Sequence, residues 1–367
     1  MTSEWNAIDH TKVSLGRVLI VGCGYLGIRV AQMAIESGAS VSATTRRPER
    51  AKALAALGIE PCLADWTDAR TLRRLPEADH VLVAVSFDPV SGHDRESAIV
   101  GGLRHLIGRL YPPATAGPPS TVGPPSTVGP PSTAGPPSTA GPSPVDVRRQ
   151  SPVDLCYVST TGVYHQSDGC WVDETSPTKP TRSGGLAHLR AEQLLHRLIP
   201  NQPWTILRLA GIYGPGRVPR VADVIAGRPI ATDPMGFLNL IHVSDAARAV
   251  IGAWQRGVSA RAACPPDRRL APLDQAPDGQ RPRPRRHKLY VVADDRPVIR
   301  GEFYREISRI CQSPPPRFTA TNDHSPGQRR ADSNKRIWNR RVRRDLLSTL
   351  RFPSYREGLR DVLNHLP

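Results

Sequence analysis

The stretch Val18-Leu19-Ile20-Val21-Gly22-Cys23-Gly24-Tyr25-Leu26-Gly27 decides how this chain is read. Four apolar residues run into three glycines at G-x-G-x-x-G spacing, and the following segment keeps apolar residues at Ile28, Val30, Ala31, Ala34 and Ile35. That order is a buried strand, a tight turn and a helix. Each glycine has its own physical reason: Gly22 permits the turn, Gly24 lets the backbone approach a pyrophosphate, and Gly27 lets helix and strand pack closely. A diphosphate at such a helix N-terminus meets free N–H groups and the positive end of the helix dipole. The stretch therefore points to dinucleotide binding around Gly22, Gly24, Tyr25, Leu26 and Gly27, the alternative being a glycine turn with a structural role only.

Outward from this turn, strand-like runs at 18–21, 41–45, 81–85 and 155–159 alternate with helical patterns at 27–37, 49–57 and 99–110. Alternation of this kind builds right-handed βαβ units. The expected fold is α/β, a Rossmann-type doubly wound parallel sheet, with a small C-terminal α/β lobe. Residues 14–257 form the dinucleotide-binding domain, and residues 175–367 contribute the substrate lobe over the sheet's carboxyl edge, where ligands bind in open α/β folds. Two insertions interrupt the pattern. Between 112 and 150 runs a Gly-Pro-Pro-Ser-Thr-Val/Ala repeat of period six, which has nothing large to bury and reads as a disordered or polyproline-II loop. Residues 258–288, rich in Pro and Arg, read as a second flexible insertion. After it come an apolar strand at 289–292 and helical patterns at 301–311, 333–347 and 355–366.

Composition bounds the function. The chain has 367 residues and a net charge of +16, concentrated in Arg281–Lys288 and in Arg329–Arg344. Such clusters can bind phosphate backbones. No zinc-finger spacing and no aromatic nucleic-acid-binding strand accompany them, so solvated surface is the preferred reading and nucleic acid is not an expected partner. No apolar run reaches the length of a membrane span. The six scattered cysteines contain no C-x-x-C pair, and the polar N-terminal residues lack an apolar export core; together these point to a reducing, cytoplasmic setting.

Further strings appear in order: Val158-Ser159-Thr160-Thr161-Gly162-Val163-Tyr164, Ala191-Glu192, Arg208-Leu209-Ala210-Gly211-Ile212-Tyr213-Gly214-Pro215-Gly216 and Asn239-Leu240-Ile241-His242-Val243-Ser244-Asp245. With the glycine turn they resemble the extended short-chain dehydrogenase/reductase superfamily, in its NAD-dependent epimerase/dehydratase group. Ala293-Asp294-Asp295-Arg296-Pro297-Val298 and Asn334-Lys335-Arg336 look like the atypical YeeZ-like branch. The resemblance spans nearly the whole chain apart from the insertions.

The resemblance implies roles residue by residue. A Ser or Thr that orients the reacting substrate oxygen falls on Thr160, with Ser159 beside it. The superfamily's Tyr-x-x-x-Lys falls on Gly184 and His188, so both members of its catalytic pair are replaced. Gly184 can do no acid/base work, whereas His188 carries an imidazole that ordinarily titrates near neutral pH; the alternative is a helix-surface histidine. Tyr164 and Tyr213 are phenols near the site that in such proteins usually serve structure. The Asp-Glu pair of the dehydratases falls on Thr161 and Gly162, which argues against sugar-nucleotide dehydration. At the end of the second strand Arg46 and Arg47 stand where a carboxylate would select NAD; guanidinium forks suit a 2′-phosphate, so NADP is the expected cofactor and NAD the alternative. Asp65 resembles an adenine-contacting acid, and Ala84 and Val85 line the nicotinamide side. The expected protein transfers hydride at a hydroxyl or carbonyl carbon of a small molecule, as a reductase or epimerase; the resemblance makes a homodimer one option, and no apolar patch in the sequence decides the assembly. The alternative is a catalytically inactive NADP-binding sensor or scaffold.

Overall fold

A computed structural model describes residues 14–112, 152–262, 288–319 and 334–364. The Gly-Pro-Pro-Ser-Thr repeat and nearly all of the second insertion, with its arginine cluster, lie outside the described residues.

The chain begins its regular structure with β1 (Arg17–Val21), α1 (Tyr25–Glu36), β2 (Ser40–Thr45), α2 (Pro48–Ala55), β3 (Glu60–Leu63), β4 (His80–Val83) and α3 (Gly102–Leu110). It continues with β5 (Asp154–Thr160), β6 (Cys170–Val172), α4 (Ser183–Leu198), β7 (Trp204–Leu209), β8 (Gly211–Tyr213), α5 (Val221–Ile225), β9 (Ile230–Ala231), β10 (Phe237–Leu238), β11 (Leu240–His242) and α6 (Val243–Ala262). Beyond the second insertion lie β12 (Lys288–Val292), β13 (Val298–Ile299), α7 (Arg300–Ile310), β14 (Phe318–Thr319), β15 (Lys335–Ile337), α8 (Arg340–Asp345) and α9 (Tyr355–Leu363).

Seven strands form one parallel sheet in the order β12-β7-β5-β4-β1-β2-β3. From β1 the chain winds outward through β2 and β3, then returns to lay β4 on the other side. The crevice between β1 and β4 is therefore the point where strand order reverses. Alternation along each strand feeds two cores. Val18 and Ile20 face α1 and α6 through Val30, Ala31, Ala34, Ala246, Val250 and Trp254. Leu19 and Val21 face α3 and α4 through Leu103, Leu106, Ala191, Leu194 and Leu195. A third apolar cluster, with Tyr213, Ile230, Leu240, Phe303, Ile307, Tyr355 and Leu359, gathers short strand pairs and α5, α7 and α9. The last of these helices starts with a capping box between Ser354 and Glu357.

The structure departs from the sequence reading in three places. The seventh strand of the main sheet, β12, comes from beyond residue 257 and pairs with β7 from Lys288↔Thr205 to Val292↔Leu209. β4 stops at Val83, and the Ala84 N–H still donates to the Val21 carbonyl at 2.9 Å. The helical pattern at 333–347 is broken: β15 pairs in parallel with β6, and only α8 is helical. The residues of β15 alternate buried, half-buried, buried, as its partner strand demands. Long-range pairing with a strand some 165 residues away overrides a local helical period there.

Candidate dinucleotide and catalytic site

The glycine turn closes on the β1–β4 crevice. Gly22 has φ +90°, and a Cβ on it would lie 2.7 Å from the backbone of Ala84 and Val85, so only glycine fits. A Cβ on Gly27 would come within 2.9 Å of the Gly22 carbonyl oxygen, which is the close packing of α1 on the turn. Around Gly24 no atom lies within 4 Å of the Cβ position, and no side chain caps α1. Gly22 and Gly27 thus make the turn and the close packing that the spacing predicts, and the Cβ position of Gly24 opens onto free space at the helix N-terminus. Ala84 and Val85 flank the turn from β4. Leu26 is buried in the core under α1. Tyr25 points elsewhere: its hydroxyl donates to the Pro215 carbonyl at 3.1 Å and its ring lies under Arg217, fastening α1 to the loop after β8.

At the end of β2 the Arg46 guanidinium pairs with Asp88 at 2.7 Å and stands 3.8 Å from Asp65. It holds the Asp88 carboxyl below its ordinary range. Asp65 also accepts from the Thr67 backbone N–H at 2.9 Å and hydroxyl at 2.6 Å, so it shapes its own turn as well as facing Arg46. Arg47 is exposed, and its N–H donates to the Thr45 hydroxyl at 3.3 Å. Sequence reasoning passed over Arg50, which reaches back from α2 to donate to the Cys23 carbonyl at 3.3 Å, inside the glycine turn. Its signal was available: Arg50 lies one helical turn beyond Arg46 and Arg47.

At the carboxyl end of β5, Thr160 is half-buried and its hydroxyl oxygen accepts from the Gly162 N–H at 3.0 Å, leaving the hydroxyl proton to donate outward. Ser159 is placed differently. It is buried and donates to Glu192 at 2.5 Å. Glu192 takes two further bonds from Arg208, at 3.0 and 2.6 Å, and Arg208 donates to the Tyr164 hydroxyl at 2.8 Å. Ser159 therefore holds the floor under Thr160, and its hydroxyl is turned away from any substrate. Tyr164 and Tyr213 are both buried.

Gly184 and His188 lie on the first turns of α4. His188 Nδ1 is 2.8 Å from the Tyr157 hydroxyl. Burial, with the Arg95 guanidinium nearby, pushes its imidazole down to about 4. The expectation that His188 titrates near neutral pH is therefore corrected: desolvation disfavours the imidazolium. A Cβ on Gly184 would meet only Arg95, at 3.8 Å. The next residue, Gly185, cannot be replaced, because its Cβ would collide with the Gly162 carbonyl. Arg95 was invisible in the sequence because nothing local marks an arginine in the helical turn ahead of α3 as one that reaches α4. Its guanidinium carbon sits 4.1 Å above the Phe87 ring.

Several recognition strings prove to be structural. Asn239 donates to the Lys335 carbonyl at 2.8 Å and accepts from the Ile337 N–H at 3.0 Å, tying β15 in place. Asp245 accepts from the Arg351 and Phe352 N–H groups and pairs with Arg248. In the second arginine cluster, Arg343 pairs with Asp295, Arg344 with Asp345, and Arg340 lies over Trp338. Among the described residues no helix is long and apolar enough to cross a membrane.

No family model matches the chain. The chain is 32% identical to Protein YeeZ of Escherichia coli K12 over 174 residues, 47% of this chain and 52% of YeeZ, so it spans about half the length of the curated relatives it matches. Among solved structures, a conserved protein of unknown function from Silicibacter pomeroyi superposes with TM-score 0.64 at 26% identity, covering 95% of this chain and 98% of the other. A candidate NAD-dependent epimerase/dehydratase from Methylobacillus flagellatus superposes with TM-score 0.61 at 22% identity, covering 96% and 98%.

Proposed function

We propose that this chain, a member of the extended short-chain dehydrogenase/reductase superfamily in its YeeZ-like branch, binds NADP(H) and transfers hydride at a hydroxyl or carbonyl carbon of a small molecule. The observation that carries the reading is the open space at Gly24 on the β1–β4 crevice, with Thr160 at the carboxyl end of β5, the strand paired with β4. A bound nicotinamide dinucleotide would supply or accept the hydride. The backbone of Gly22–Gly27 would hold its diphosphate, Ala84 and Val85 would border its nicotinamide, and Arg46, Arg47 and Arg50 would face the adenosine ribose.

Thr160 orients the substrate oxygen by donating its hydroxyl proton while Gly162 holds the oxygen of that hydroxyl. His188 stays neutral at physiological pH and acts as a hydrogen-bonding group held by Tyr157. With Gly184 in place of tyrosine, the proton exchanged with the substrate oxygen comes from solvent entering the space beside α4. The absence of the Tyr-Lys pair also supports a second reading, an NADP-binding sensor without catalysis. Dinucleotide-dependent reduction of a carbonyl substrate, lost in Thr160→Ala, separates the two.

NADPH binding by calorimetry tests the proposal, and failure to bind either NADPH or NADH overturns it. Preference for the phosphorylated cofactor has its own test. Arg46→Ala is expected to weaken NADPH by about tenfold, about 1.4 kcal/mol, while NADH changes little. Equal losses for both would remove Arg46 from 2′-phosphate recognition.

The state of His188 is checked by its NMR titration. Its folded value lies near 4, below the ordinary 6.5. Between these values the unfolded chain binds the extra proton, so stability falls as pH drops from 6.5 toward 4. The His188 ring signals should stay unchanged from about pH 5.5 to 8. A midpoint near neutrality would contradict the burial argument.

A further inference from the structure

One charged group at the proposed catalytic edge is used by nothing described so far. Arg95 lies between the first turns of α4 and Phe87. Its Nη1 is 3.8 Å from the Gly184 Cβ position, its guanidinium carbon is 4.1 Å from the Phe87 ring centroid, and its charge acts on His188. The acids beside it in sequence are engaged elsewhere. Asp94 accepts from the Glu96 and Ser97 N–H groups and from the Ser97 hydroxyl, and Glu96 pairs with Arg190. Among the described residues no carboxylate pairs with Arg95, and its contact is the aromatic face. Thr160 is uncharged and His188 is neutral, so the edge where substrate would react carries one positive charge without a counter-ion.

We propose that Arg95 binds the substrate directly and that the substrate is a small carboxylate with its carbonyl or hydroxyl on the neighbouring carbon, a 2-oxo or 2-hydroxy acid. This rests on the hydride-transfer reading above. The Phe87 ring holds the guanidinium carbon at 4.1 Å, and a guanidinium fork suits a planar two-oxygen acceptor held by parallel hydrogen bonds. A carboxylate held there sets the adjacent oxygen toward Thr160, in the space that the glycine at 184 leaves open. A phosphate, tetrahedral and more highly charged, ordinarily takes several cations or a set of backbone N–H groups, and Arg95 supplies a single positive charge.

The test uses the full chain, with and without saturating NADPH, and titrates in oxamate, a 2-oxo acid mimic that is not reduced. Oxamide serves as its neutral counterpart and inorganic phosphate as the competing anion. Oxamate is expected to bind at least about tenfold more tightly than oxamide, as charge-assisted pairing to a guanidinium requires. Arg95→Ala should bring oxamate down to the oxamide level with an unchanged melting temperature, and Arg95→Lys should fall between. Equal oxamate affinity in wild type and Arg95→Ala overturns the inference, as does oxamide binding as well as oxamate. Arg95-dependent binding of phosphate without oxamate overturns it too. NADPH bound without oxamate binding refutes this inference alone. If neither NADPH nor NADH binds, the hydride-transfer reading falls, and the cofactor-free titration still decides whether Arg95 holds a carboxylate.

Discussion

Gly24→Val is expected to weaken NADPH binding about 100-fold, near 2.7 kcal/mol, while the protein stays folded. The reason lies in what surrounds the position. Apart from its two chain neighbours, no atom of the described residues lies within 4 Å of a Cβ placed there, and its φ of −92° is not left-handed. The added isopropyl group would enter the space where the diphosphate is proposed to lie. Gly24→Ala should show the same effect at about tenfold. Gly22→Ala provides the contrast, since its Cβ would strike the Ala84–Val85 backbone at φ +90° and the fold itself should suffer. Calorimetry together with a thermal melt reads both properties. If Gly24→Val binds NADPH like wild type, the diphosphate does not lie at this turn.

The largest expected effect on stability is at Glu192. Its side chain is 4% exposed, and that of its partner Arg208 is 6% exposed. Glu192→Met leaves the guanidinium buried without its carboxylate, which costs about 3–5 kcal/mol. The Ser159 hydroxyl loses its acceptor in the same step. Adding Arg208→Met to that variant should recover most of the loss, because an apolar pair of similar volume is close to neutral in such sites. Urea unfolding of the single and double variants measures this. A single-variant loss below about 1 kcal/mol would mean that the pair behaves as a surface ion pair.

The glycine turn was legible because its physics is local. Steric demand at Gly22 and Gly27, and the lack of any neighbour at Gly24, follow from a strand, turn and helix contiguous in the chain. The parallel sheet was legible for a similar reason, since alternating apolar runs and helical periods are short-range signals. β15 was misread because its partner β6 is remote in the chain. Ser159 and His188 were named from their places in strings, while their states depend on side chains from other elements. Glu192 and Arg208 draw Ser159 inward, and Tyr157 and Arg95 set the environment of His188.

From sequence alone came the fold class and the glycine turn, each written in residue types at fixed local spacing, and the resemblance set Gly184 and His188 at the places of a Tyr-Lys pair. Tertiary structure decided which hydroxyl at the end of β5 is free to face a substrate and that the imidazole beside it is neutral. It also decided that Arg95 lies next to the vacated tyrosine position. Burial and charge depend on what packs around a group, and here those neighbours come from segments 31 to 93 residues away in the chain.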